Sequence, residues 1–96
     1  MEELDLRALR AFASVAEHGS LTRASAALEV AQSALSRRIS ALEEVLGGRL
    51  FHRTGRGATP TDFALALLPR ARAMLADNDA LRAEALGEQT SPAGMV

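Results

Sequence analysis

Gln32, Ser33, Ser36 and Arg37 place an amide, two hydroxyls and a guanidinium within six residues. At about 100° per residue, Ser33 and Arg37 fall opposite the apolar Leu35 and Ile39, with Ser36 on the flank. None of these groups has a general base beside it, so the chemistry on offer is reversible hydrogen bonding to flat polar edges. A glutamine can pair with adenine and an arginine with guanine or a phosphate, and serines are short enough to admit a helix into a major groove. The same face also suits a helix that is merely solvated. Further on, Arg53 and a glycine-flanked Arg56 are candidates for phosphate or minor-groove contact from a flexible tip, although Arg53 has a surface ion pair with Glu43 or Glu44 as its alternative.

Charge is distributed in a way the total conceals. The 96 residues carry a net charge of -1, yet residues 1–19 sum to -2, 20–57 to +3 and 58–96 to -2. A pI of 6.1 argues against general adhesion to nucleic acid, whereas a local excess on one face still attracts a polyanion. Every basic residue is arginine, which codon preference explains as readily as phosphate recognition does.

The elements that must position these groups are helical. Alanine and leucine dominate and aromatic residues make up 3%, which favours helix-on-helix packing. Leu6, Leu9, Phe12, Ala13 and Ala16 give a first helix over about 4–18, stopped by Gly19. Ser20 can cap a short second helix with Leu21, Ala24, Ala27 and Leu28 on its apolar side. A third helix starts near Gln32 and buries Leu35, Ile39, Leu42 and Leu46, with Gly47 placed to leave it in a left-handed conformation. Residues 49–53 and 58–60 alternate as a small hairpin around 54–57. Thr61 caps a long last helix to about Leu86, in which Leu67, Ala71, Met74, Asn78, Leu81 and Ala85 recur at heptad spacing and require a partner. Asn78 can set register in that seam or face solvent between Asp77 and Asp79. Pro69 predicts a bend near 65–69.

Other functions are disfavoured. Cysteine is absent and the two histidines, His18 and His52, have no metal-ligand spacing. No catalytic triad, P-loop, dinucleotide fingerprint or carboxylate pair occurs, so neither an enzyme nor a cofactor is expected. No apolar stretch is long enough for a membrane span, and the acidic start is unlike a signal peptide. The default location is cytoplasmic.

Two helices joined by a tight turn, then a hairpin, form the layout of a winged helix-turn-helix. The stretch Phe12 to Arg56 resembles the DNA-binding domain of LysR-type transcriptional regulators. The resemblance is carried by Phe12, Val15, Ala16, Glu17, Gly19, Ser20, Leu21, Thr22 and Ser25, by Gln32 to Ser36, by Leu42, Glu43, Leu46 and Gly47, and by Leu50, Phe51 and Arg53. It extends loosely through Leu67, Leu68, Pro69 and Ala71. It implies that Gln32, Ser33, Ser36 and Arg37 are groove residues, that Thr22 and Arg23 contact the backbone, and that Arg53 and Arg56 act from the wing. It further implies a homodimer joined through the last helix on an interrupted palindrome of double-stranded DNA.

Two local departures from the family pattern stand out. Ala31 occupies the place of a capping serine or threonine, at a cost of about 1 kcal/mol, and Phe63-Ala64 replaces the usual Ala-Gly. Family members continue into an effector-binding domain that these 96 residues do not include, so no small-molecule effector site is expected here. The expected architecture is a mainly α winged helix-turn-helix domain over 1–60, with a three-helix core and a two-stranded wing. A linker and dimerisation helix follows over 61–87, paired through Leu67, Ala71, Met74, Asn78 and Leu81, and then a flexible tail over 88–96. The alternative function is a winged-helix protein-interaction module that binds no DNA.

Overall fold

Local chemistry sets most of the helix boundaries. In the computed structural model, which describes residues 3–55 and 57–90, the Asp5 carboxylate accepts from the Arg7 amide at 2.9 Å and opens α1, Leu6–His18. Gly19, at φ 67°, closes that helix by donating to the Val15 carbonyl at 2.8 Å. The Ser20 hydroxyl accepts from the Arg23 amide at 3.2 Å and starts α2, Leu21–Leu28. α2 ends at Glu29, φ 58°, a non-glycine residue in the left-handed region. α3, Gln32–Leu46, follows with Ala31 at its N-cap and no side-chain cap, and leaves through Gly47 at φ 83°.

The hairpin consists of β1, Phe51–Thr54, and β2, Gly57–Pro60, antiparallel with Phe51 opposite Pro60 and Arg53 opposite Ala58. β2 is docked on the α1–α2 turn, because the Ala58 amide donates to the Gly19 carbonyl at 3.0 Å. Gly57 is required there: a Cβ would overlap the Gly19 carbonyl oxygen. Thr61 then caps α4, Asp62–Thr90, its hydroxyl accepting from the Ala64 amide at 3.0 Å.

One core serves all of these elements. Phe12, Leu35, Ile39, Leu42, Leu50 and Phe51 are its largest members, each essentially inaccessible. Burying each contributes about 1.5–3 kcal/mol. The Phe12 and Phe51 rings meet edge to face, centroids 5.9 Å apart at 76°, the preferred aromatic geometry, and this pair anchors the wing to α1. Phe63, without an assigned neighbour from sequence, lies with its ring against Gly48, where even a Cβ would approach it to 2.7 Å.

Three expectations need correction. Leu6 is exposed, and α1 buries Ala8, Leu9, Ala11, Phe12 and Val15 instead, because α2 and α3 cover one side of it and α4 another. Ala27 is likewise exposed. The heptad seam of α4 is divided. Ala64, Leu68, Ala71 and Leu75 turn into the chain's own core, Leu67 and Asn78 are half-buried, and Met74 and Leu81 remain exposed at 42% and 67%. Ala71 is therefore spent on intrachain packing. Two stripes at steps of three and four lie side by side on this helix, and periodicity does not say which one folds back.

Farther along α4, Asp79 accepts from Arg10 of α1 at 2.9 Å. That hydrogen bond holds the Asp79 carboxyl below its ordinary pKa of 3.8. The helix continues through Pro69 and reaches Thr90, past the expected end near 86–87. Residues 91–96 of the expected tail, and Arg56, lie outside the described residues.

Candidate nucleic-acid interface

The polar front of α3 exists because its back is fully used. Leu35, Ile39 and Leu42 are buried, which fixes the rotation of the helix and turns Gln32, Ser33 and Arg37 outward, all exposed, with Ser36 half-exposed. A shallow groove runs along this front, lined by Ser33, Ser36, Arg37, Ser40 and Glu44. Acid is confined to its C-terminal end, and the N-terminal half is polar or basic.

Two side-chain contacts connect this front to its neighbours. The Thr22 hydroxyl of α2 donates to Gln32 Oε1 at 3.4 Å, a long contact that orients the glutamine amide from the preceding helix. Arg53 of β1 donates through Nη1 to the Ser36 hydroxyl at 3.2 Å. The alternative pairing considered for Arg53 falls to a different arginine: Glu43 Oε2 faces Arg49 Nε at 3.6 Å.

Between the starts of α2 and α3 and the wing lies a polar cleft of about 270 Å³, lined by Ser20, Thr22, Gln32, Arg53, Thr54 and Gly57. Thr22, Gln32 and Arg53, thirty-one residues apart at the extremes, thus border one space. Arg23 is exposed on the same short helix as Thr22.

Sequence reasoning placed Thr61 only as the cap of the last helix and Glu43 only as an alternative partner of Arg53, and missed that both hold the segment at Arg49 and Leu50. Glu43 Oε2 accepts from the Leu50 amide at 2.8 Å, while the Thr61 hydroxyl donates to the Arg49 carbonyl at 2.6 Å and the Thr61 amide donates to the Leu50 carbonyl at 3.0 Å. The available signal was an acid next to buried Leu42 within a segment of net positive charge. The position of its acceptor relative to Leu50 becomes visible only once the chain has turned at Gly47.

A three-helix core, a short turn between α2 and α3, and a two-stranded wing whose arginine reaches α3 define a winged helix-turn-helix protein. Residues 6–65 match the model of the bacterial regulatory helix-turn-helix proteins of the lysR family. The chain belongs to that family. The small neutral protease regulatory protein of Streptomyces coelicolor is 45% identical over 83 residues, covering 86% of this chain and 25% of the relative. This chain thus spans about a quarter of the length of that relative. Among solved structures, Corynebacterium glutamicum OxyR in its oxidized form superposes with a TM-score of 0.85 at 31% identity, over 88% of this chain and 27% of that one. The BenM DBD in complex with catB site 1 DNA gives 0.83 at 33% identity, over 91% of this chain and 97% of that one. The matched family is one of regulatory proteins, as is the Streptomyces relative by its name, and among the described residues no helix is long and apolar enough to cross a membrane.

Proposed function

We propose that this chain is the DNA-binding part of a transcriptional regulator, acting in the cytoplasm on double-stranded DNA as a homodimer. In this reading residues 1–60 contact the DNA and 61–87 join two copies. Gln32, Ser33, Ser36 and Arg37 enter the major groove, Thr22 and Arg23 meet the backbone from α2, and Arg53, with Arg56, acts from the wing. The observation that carries the reading is the exposed polar face of α3 with the Arg53 guanidinium drawn against it. The likeness to a domain solved on DNA over nearly the full length of both chains supports it.

The last helix supplies the second copy's docking face. Met74 and Leu81 leave apolar surface in water beside half-buried Leu67 and Asn78, and pairing two such helices removes it. Two identical reading heads then require a two-fold related site, an interrupted palindrome.

The reading is tested by titrating labelled DNA from the intergenic region beside the gene at several salt concentrations. Affinity falls steeply with salt, and Arg37→Ala weakens binding about tenfold or more. A dimeric chain that shows no salt-dependent binding to any such fragment overturns the proposal in favour of a protein-interaction module.

A further inference from the structure

Glu43 is an acid in the most basic third of the chain, on the very helix that presents the polar front. Electrostatics alone makes it a liability beside a polyanion. Its carboxylate, however, is drawn inward: the side chain is 17% exposed, and Oε2 accepts from the Leu50 amide at 2.8 Å with Arg49 Nε at 3.6 Å. Leu50 is fully buried, and an unpaired buried amide is costly.

The same short segment is held from its other side. The Thr61 hydroxyl donates to the Arg49 carbonyl and the Thr61 amide to the Leu50 carbonyl. The base of the wing is thus clamped between the C-terminal part of α3 and the cap of α4. Arg53, three residues beyond Leu50, then reaches back to Ser36 on α3. Ser36 and Glu43 are seven residues apart, about 10 Å along a helix, so α3 holds the wing at two points, one near the base and one toward the tip.

We infer that Glu43 is a positioning residue: its carboxylate fixes the wing against the recognition helix, and it strengthens DNA binding despite its charge. This inference rests on the DNA-binding reading above. It opposes simple electrostatics in sign. If Glu43 acted only as a negative charge, every neutral replacement would tighten binding. As a positioning group, it can be replaced only by a side chain that still accepts from the Leu50 amide.

The experiment compares Glu43→Gln with Glu43→Leu in the full chain. Both remove the charge, but only the first retains an acceptor. Glu43→Gln binds DNA at least as tightly as the wild type. Glu43→Leu binds about tenfold more weakly, and the slope of log affinity against log salt falls by about one, the signature of a lost arginine–phosphate contact. Glu43→Leu binding as tightly as Glu43→Gln overturns the inference.

Amide hydrogen exchange of Leu50 without DNA gives an independent readout: protection persists in Glu43→Gln and drops in Glu43→Leu. Unchanged Leu50 protection in Glu43→Leu also overturns the inference. If no variant and no wild-type chain binds DNA, the functional reading fails, while Leu50 exchange still decides whether Glu43 holds the wing. Should Glu43→Leu lose its helical circular dichroism, Glu43→Asp takes its place, keeping the charge while withdrawing the acceptor by one methylene, with the same losses expected.

Discussion

The Arg53 guanidinium and the Ser36 hydroxyl are joined by a hydrogen bond of 3.2 Å across seventeen residues of sequence. The wing and α3 therefore do not present their polar groups independently. If Arg53 meets a phosphate, as proposed above, its bond to Ser36 restricts the guanidinium beforehand and lowers the ordering cost of that contact. Arg53→Ala is expected to weaken DNA binding about tenfold and to reduce the salt slope by about one. Ser36→Ala costs less in the Arg53→Ala background than in the wild type. Strict additivity of the two substitutions, measured by titration in a double-mutant cycle, would show that the contact does not prepare the site.

Ala31 leaves the first turn of α3 without a side-chain cap. Its φ of -65° and ψ of 143° already have the extended geometry that a capping residue adopts. Ala31→Ser is therefore expected to stabilise the fold by about 1 kcal/mol, which raises the melting temperature by roughly 4–8 °C for a domain of this size. Thermal denaturation followed by circular dichroism measures it, and an unchanged midpoint contradicts the expectation.

Glu29 closes α2 at φ 58° with its amide bonded to the Ala26 carbonyl at 3.2 Å. A residue with a Cβ pays about 1–2 kcal/mol in this conformation, and glycine avoids that strain while losing more chain entropy on folding. Glu29→Gly is expected to gain about 0.5–1 kcal/mol in urea denaturation. A loss of stability would mean that the Glu29 side chain contributes more than its backbone strain costs.

Asp79 and Arg10 tie the distal part of α4 to α1, and the arginine's hydrogen bond lowers the Asp79 pKa from 3.8. A carboxylate whose folded-state pKa is depressed stabilises the fold above its unfolded value, and that stabilisation is lost as pH falls through the lower folded value. Asp79→Asn is thus expected to lower the melting temperature at neutral pH, with the gap closing as the pH drops below 3.8. Because the pair is exposed, the gap at neutral pH also shrinks in 1 M salt. A gap that persists at low pH would assign the effect to packing rather than charge.

What could be read from the residues is what lies close along the chain. The caps at Ser20 and Thr61, the left-handed exits at Gly19 and Gly47, and the buried stripe Leu35, Ile39, Leu42 depend on neighbours within four residues, so spacing and side-chain chemistry determine them. The polar front of α3 followed from that stripe, since whatever lies opposite a buried face of a helix faces outward.

Tertiary structure decided the contacts between segments that are far apart in sequence. Arg53 goes to Ser36 and Arg49 to Glu43, although from sequence any of these arginines could have met any nearby acid, because a long flexible side chain has many partners within reach until the backbone is fixed. Likewise α4 carries two adjacent apolar stripes of the same period. Packing against the rest of the chain selected the one with Leu68 and Leu75 for the core and left Met74 and Leu81 outside, because helical periodicity records that a face is buried and not what buries it.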